Sequence, residues 1–243
     1  MNLKSASTHW LTLLFTATVY VVLLTISAHA QFLWSERIAS ANDWPDGEPN
    51  TGLALDTNDT CYVAGYFDGT NDFGGVTLTN QSIGGSDIYV AKYNSTGALQ
   101  WVQRAGGSSN NYGHGIGVDT NGNIYVTGGY SGLAKFGGIT LPAPSGEEFF
   151  LAKYNNAGVV QWVQSSTGGS DDVDGIGLTV DGAGNSYALV VVDDFEGAGG
   201  SVTFGSTTVI IPANSGTTMT LLVKYDNTGA AKWAQLFASS QES

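Results

Sequence analysis

Three tryptophans open near-copies of one segment: Trp101-Val102-Gln103, Trp162-Val163-Gln164 and Trp233-Ala234-Gln235, with Trp34 at the same place in a looser copy. The interval is roughly 65 residues, and the copies span nearly all of the chain beyond its first thirty residues. Other landmarks keep the same phase. Gly52-Leu53-Ala54-Leu55-Asp56 recurs as Gly115-Ile116-Gly117-Val118-Asp119 and as Gly177-Leu178-Thr179-Val180-Asp181, each followed by a Tyr (Tyr62, Tyr125, Tyr187). Ala91-Lys92-Tyr93, Ala152-Lys153-Tyr154 and Val223-Lys224-Tyr225 each lead to a Gly (Gly97, Gly158, Gly229) and then to the next Trp. A unit of this size cannot bury both faces alone, so the repetition requires an array in which neighbouring copies stack.

Each copy reads as four short strands. In the second copy Gly115–Asp119 is strand one, Ile124–Tyr130 strand two, Phe149–Tyr154 strand three and Val159–Gln164 strand four, with β-branched and aromatic residues concentrated in these runs. Asp119-Thr120-Asn121-Gly122-Asn123 and Asn155-Asn156-Ala157-Gly158 supply the turns, because Asn and Gly tolerate the left-handed backbone of tight hairpins. Connections this short force antiparallel pairing. Between strands two and three, Phe136-Gly137-Gly138-Ile139-Thr140-Leu141 predicts a small extra hairpin whose aromatic and Leu tuck against the sheet. It is matched by Phe73-Gly74-Gly75-Val76-Thr77-Leu78 and more weakly by Phe204-Gly205-Ser206-Thr207-Thr208-Val209. Thirty-four Gly against 5 Pro, with 42% hydrophobic and 12% charged residues, suit a turn-dense β chain and exclude collagen, Pro-rich low complexity and disorder.

Radial stacking of such units gives a β-propeller. The succession of a G-x-x-x-D strand, Gly122-Asn123-Ile124-Tyr125-Val126-Thr127-Gly128, the Phe136–Leu141 segment, Ala152-Lys153-Tyr154 and G-x-x-x-W resembles the bacterial β-propeller repeat family abbreviated SBBP. The likeness is strongest over 101–162, good over 34–101 and weaker over 162–233, where Val190 replaces the Gly seen at Gly65 and Gly128. The resemblance implies a propeller in a secreted or cell-surface protein and brings no catalytic residue with it. The expected fold is all-β: a β-propeller-type array of three four-stranded antiparallel blades, in copies 34–100, 101–161 and 162–232 with the start of a fourth at 233. Three blades fall short of the roughly four to eight of closed propellers. Either the chain is a fragment of a longer protein, or it needs further blades or self-association to cover its edges.

Lys4, the apolar run Leu11–Ile26 and Ala28-His29-Ala30 predict a secretory signal peptide over 1–30, cut after Ala30. The competing reading is an uncleaved membrane anchor. Gln31, rather than Cys, after the site disfavours a lipoprotein. With 8 Lys+Arg against 21 Asp+Glu the net charge is −13, and none of the acids lies in 1–30, so the acidity belongs to residues 31–243. That sign excludes a protein that draws its affinity from nucleic-acid phosphates. Cys61 is the only cysteine, has no partner for an intramolecular disulfide and reads as a buried structural thiol.

The recurring acids Asp56, Asp119 and Asp181 begin turns. Asp119-Thr120-Asn121-Gly122-Asn123 has a passing likeness to a calcium loop, but Ile124 and Tyr130 stand where the EF-hand needs Gly and Glu, which leaves Asp side chains capping their own turns. A better calcium candidate is the acidic pair of loops in the third copy, Asp171, Asp172 and Asp174 with Asp193, Asp194 and Glu196; a solvated acidic loop is the alternative. Lys92, Lys153 and Lys224 share one repeat position, preceded by Asp87, Glu148 and Met219, and read as exposed or interblade partners rather than catalytic lysines. The Trp and Tyr series reads as interblade core rather than a carbohydrate platform. His114, the only His beyond residue 30, reads as a loop residue without the partners of a zinc site or a general base. Neither a G-x-S-x-G elbow nor a phosphate-cradling G-x-x-x-x-G-K-[ST] loop occurs.

These readings point to a secreted, extracellular or cell-envelope module without catalytic residues or cofactor, presenting loops or blade faces to a cell-surface protein or polysaccharide, with no stable membrane span after signal cleavage. The alternative is an extracellular carbohydrate-active hydrolase or lyase with acids around a propeller channel. N-terminal sequencing of the exported product is expected to start at Gln31; an intact Met1 on a membrane-embedded product would establish the anchor instead.

Overall fold

A computed structural model of the chain describes residues 52–81, 84–168, 172–194, 197–213 and 218–240, all within the compact unit Glu36–Ser243. The expected leader and Trp34 lie outside the described residues. Blade 1 comprises β1 (Gly52–Leu55), β2 (Cys61–Phe67), the hairpin β3 (Thr70–Asp72) and β4 (Thr77–Thr79), β5 (Asp87–Tyr93) and β6 (Leu99–Gly107). Blade 2 repeats the order with β7 (Asn111–Val118), β8 (Ile124–Ser131), the hairpin β9 (Ala134–Phe136) and β10 (Ile139–Leu141), β11 (Glu147–Tyr154) and β12 (Val160–Thr167). Blade 3 holds β13 (Asp172–Val180), β14 (Ser186–Asp193), the hairpin β15 (Gly200–Phe204) and β16 (Thr207–Ile211), β17 (Thr218–Tyr225) and β18 (Ala231–Ser240), the strand that carries Trp233. The four main strands of each blade run antiparallel in the orders β1-β2-β5-β6, β7-β8-β11-β12 and β13-β14-β17-β18. The fold is thus an all-β, propeller-type array of three four-stranded blades. No helix among the described residues is long and apolar enough to cross a membrane.

Two apolar cores hold the blades face to face. Ile88 and Val90 of blade 1 meet Val126, Phe150 and Ala152 of blade 2. Phe149 and Leu151, on the opposite face of the same β11, meet Val190, Leu221 and Val223 of blade 3. Side chains alternate between faces along a strand, so a strand sandwiched between two blades must be apolar at every position, as Phe149-Phe150-Leu151-Ala152 is. The first strands β1, β7 and β13 lie side by side. A Cβ on Gly115 would stand 2.9 Å from Leu178, so this Gly within β7 permits the close approach of β13. Cys61 is buried as expected, and burial pushes its thiol pKa up.

The extra hairpins tie blades together, which sequence alone did not disclose. β9 adds to the outer strand of the preceding blade, with Ala105 opposite Phe136 and Gly107 opposite Ala134; β15 adds to β12 in the same way, with Ser166 opposite Phe204. Phe136 and Phe204 are fully buried, their ring centroids 4.9 Å from Phe150 and 5.6 Å from Phe149. Phe136→Ala is therefore expected to lower the unfolding free energy by about 3–5 kcal/mol in denaturant titration. Gly138→Ala, at a position with open space around it, serves as the control and should stay within about 0.5 kcal/mol of the parent.

Candidate functional site

Most of the recurrent polar residues are consumed by the architecture. Asp119 Oδ1 accepts the backbone N–H groups of Asn121 and Asn123, each at 2.9 Å, while Oδ2 accepts the Asn123 amide and the Tyr125 hydroxyl. Asp56 and Asp181 cap their turns in the same manner. Hydrogen bonds from the Asn185 side chain and backbone hold the Asp181 carboxyl below its ordinary pKa. Asn94, Asn155 and Asp226 repeat the device in the turn between the last two strands of each blade.

The Trp and Lys series form a clasp at each junction. Trp101 Nε1–H donates to the Asn156 carbonyl of the next blade at 3.0 Å, and the Lys92 ammonium donates to the Asn156 side chain while lying 5.6 Å from the Tyr62 ring centroid. Gly158, at φ 78°, completes the seat, because a Cβ there would stand 3.0 Å from the Trp101 ring. At the second junction Trp162 and Lys153 both donate to the Asn227 carbonyl, at 3.4 and 3.2 Å, and Lys153 lies 5.1 Å over Tyr125. The acids that precede these lysines are engaged elsewhere: Asp87 by Arg104 at 2.6 Å, and Glu148 by the Ser166 hydroxyl. In blade 3 Lys224 lies 5.0 Å over Tyr187, and the Trp233 and Tyr187 ring centroids are 6.3 Å apart.

A cluster outside this repeated scheme sits where the first strands of blades 2 and 3 begin. β7 starts at Asn111, four residues before the expected Gly115, because Asn111 to Gly113 pair with Tyr130, Gly129 and Gly128 of β8. The ladder then skips His114, which is the extra residue of a bulge between Gly113 and Gly115. His114 is thus a strand residue and not a loop residue, re-aimed by the bulge so that its Nε2 lies 3.0 Å from Asp174 Oδ2. The Glu147 backbone N–H donates to Asp172 Oδ1 at 3.0 Å, and Asp193, opposite Asp172 in the sheet, accepts the Thr218 hydroxyl at 2.7 Å. Gly129 leaves room for this group, since a Cβ there would stand 3.0 Å from Asp174 Oδ1. Tyr112 stacks 6.0 Å from His114 and meets Tyr66 edge-on at 5.0 Å. Burial, followed by the neighbouring Asp174 and Asp172 charges, pushes the Glu147 carboxyl up to about 7. Near neutral pH Glu147 can therefore donate or accept a proton, beside aromatic faces and further carboxylates that suit hydroxyl-bearing groups.

Of the residues read as calcium candidates, Asp172, Asp174 and Asp193 reach this region. Asp194 does not; it is buried and accepts the Ala198 and Gly199 backbone N–H groups. Asp171 and Glu196 lie outside the described residues. Among the described residues no three His, Cys, Asp or Glu side chains group so as to hold a metal ion. Sequence reasoning missed Glu147, although a signal existed: Glu147 stands where the other copies have Ser86 and Thr218, and His114 where the third copy has Ile176.

The stacked four-stranded blades and their shared clasp define a β-propeller repeat protein. Residues 100–128, which run from β6 through β7 into β8, match the family profile of the SBBP β-propeller repeat. An uncharacterized WD repeat-containing protein of Acanthamoeba polyphaga mimivirus is 27% identical over 168 residues, which cover 56% of this chain and 12% of that protein. The chain thus spans only a small part of the length of that relative.

The raised Glu147 pKa has a consequence for stability. An unfolded Glu loses its proton near 4.5 and the folded one near 7, so between these values the native state binds more protons and stability falls as pH rises. Calorimetric melting of the parent from pH 5 to 8 should show this decline, and Glu147→Gln should flatten it; an unchanged slope in the variant would assign the decline to another group.

Proposed function

We propose that the chain is a secreted or cell-surface, non-catalytic β-propeller module that binds a partner macromolecule, a polysaccharide or a cell-surface protein, without a cofactor. The observation that carries this reading is how the repeated side chains are used. The turn Asp residues cap their turns and the Trp and Lys residues of blades 1 and 2 are committed to junctions, whereas Tyr66, Tyr112, His114, Glu147 and Asp174 depart from the pattern together. Aromatic rings beside carboxylates suit recognition of a hydroxyl-rich surface, with rings against sugar C–H faces and acids accepting hydroxyl protons. The leader-like 1–30 segment supports export, and the relationship to propeller repeats supports an interaction role.

A second reading, an extracellular hydrolase or lyase, draws on the proton held by Glu147 near neutral pH beside other carboxylates. Calorimetric titration of the chain with cell-surface polysaccharides and surface proteins, run with an assay for released reducing ends, separates the two. Saturable binding without product, weakened at least tenfold by Tyr112→Ala, is expected; product release that vanishes in Glu147→Gln would replace the module by the enzyme.

A further inference from the structure

Two carboxyl oxygens from different blades crowd one point at the junction of blades 2 and 3. Asp174 Oδ1 lies 3.0 Å from where a Cβ on Gly129 would stand, and Glu147 Oε1 meets the same point more closely still. Asp174 Oδ1 is buried and takes no hydrogen bond among the described residues, whereas Oδ2 of the same carboxylate lies 3.0 Å from His114 Nε2. A buried acceptor left unpaired is costly, and two ionised carboxylates at such close quarters repel. One proton between them removes both penalties.

We propose that Glu147 and Asp174 share a proton that latches blade 2 to blade 3 at this end of their seam, and that its loss above neutral pH releases the latch. Glu147 is the group that brings the proton: burial, then the charges of Asp174 and Asp172, push its carboxyl up to about 7, with Asp193 adding to them and His114 opposing. The groups that face it are thus Asp172 and Asp174 on β13, Asp193 on β14, and His114 and Tyr112 on β7. The Tyr112 hydroxyl, raised by burial and then by Glu147, stays neutral through this range. On β11 itself Glu148 is engaged by the Ser166 hydroxyl of β12, and β8 sets the uncharged Gly129, Tyr130 and Ser131 opposite this end of the strand.

Acid favours the closed state twice. A proton on Glu147 joins it to Asp174, and a proton on His114 turns its contact with the other Asp174 oxygen into an ion pair. Alkali removes both and leaves an ionised Glu147 among three aspartates. The Glu147 backbone N–H, which donates to Asp172 Oδ1 across the same junction, then loses its acceptor. The apolar core beneath, with Phe149 and Leu151 against Val190 and Leu221, still holds the two blades, so the release is confined to the end of the seam. The latch concerns the seam alone and stands whether or not the cluster binds a partner.

Amide hydrogen exchange of the full chain, followed by NMR at pH 6 and pH 8 and corrected for the intrinsic rise of exchange with pH, tests it. Protection at the Glu147 amide should fall at least tenfold between the two, while the fully buried Val223 of β17 keeps its protection. Glu147→Gln, whose side-chain amide donates to Asp174 at either pH, should keep the backbone amide at position 147 protected at pH 8. Asp174→Asn should flatten the same step by removing the other charge, and His114→Gln should reduce it without abolishing it. Equal protection at Glu147 at the two pH values, or a step that survives in Glu147→Gln, would overturn the latch. Loss of Val223 protection over the same interval would replace it by global unfolding, and a step abolished by His114→Gln alone would overturn the assignment to Glu147.

Discussion

A single backbone carbonyl at the tip of a turn, held by groups from the preceding blade, is the interaction on which the array depends. No disulfide links one blade to the next, and the flat faces of β-sheets in apolar contact have little intrinsic preference for one relative position. The Asn156 residue, reached by the Trp101 indole and the Lys92 ammonium, fixes that position. A hydrogen bond to a charged group contributes about 1.5–3 kcal/mol, and a cation over an aromatic face about 0.5–1 kcal/mol, so the clasp rivals the burial of one large side chain while adding direction. The Gly beneath the indole is the steric counterpart of the same contact. This explains why Lys, Tyr, Gly and Trp recur in phase: they are one joint, read across two copies.

That the repeat would form four antiparallel strands was legible because strand periodicity, Asn-Gly turns and their capping Asp or Asn all agree locally. Asp119 binding the amides of its own turn needed no knowledge of the rest of the chain. What could not be read were the contacts made over long separations. Lys92 reaches Asn156, and β9 pairs with β6, through geometry that depends on how blades are rotated, which a single copy does not encode. The bulge at His114 was hidden for another reason. Asn111-Tyr112-Gly113-His114 is polar and Gly-rich, so it reads as a loop, and only the opposing Gly128 and Gly129 make it a strand.

The candidate site shows the converse. Residues that obey the repeat proved architectural, and residues that break it gathered in space: Glu147 against Ser86 and Thr218, His114 against Ile176. In a repeat protein the internal copies act as their own reference, so a departure from the consensus marks where the architecture places no demand. Two such departures from distant segments, meeting near one carboxylate at Asp174, carry more weight than the acidity of the third copy as a whole, where Asp194 is spent on a turn.

The hairpins that cross between blades also set an order of events during synthesis. The outer edges of blades 1 and 2 are completed only by a segment that lies in the next blade, as Ala105 waits for Phe136 and Ser166 for Phe204. A chain emerging from its N-terminus therefore always carries one unfinished edge at its growing end, sealed when the following hairpin arrives. Folding of this protein is in that sense a relay, in which each blade finishes its predecessor and passes the open edge forward.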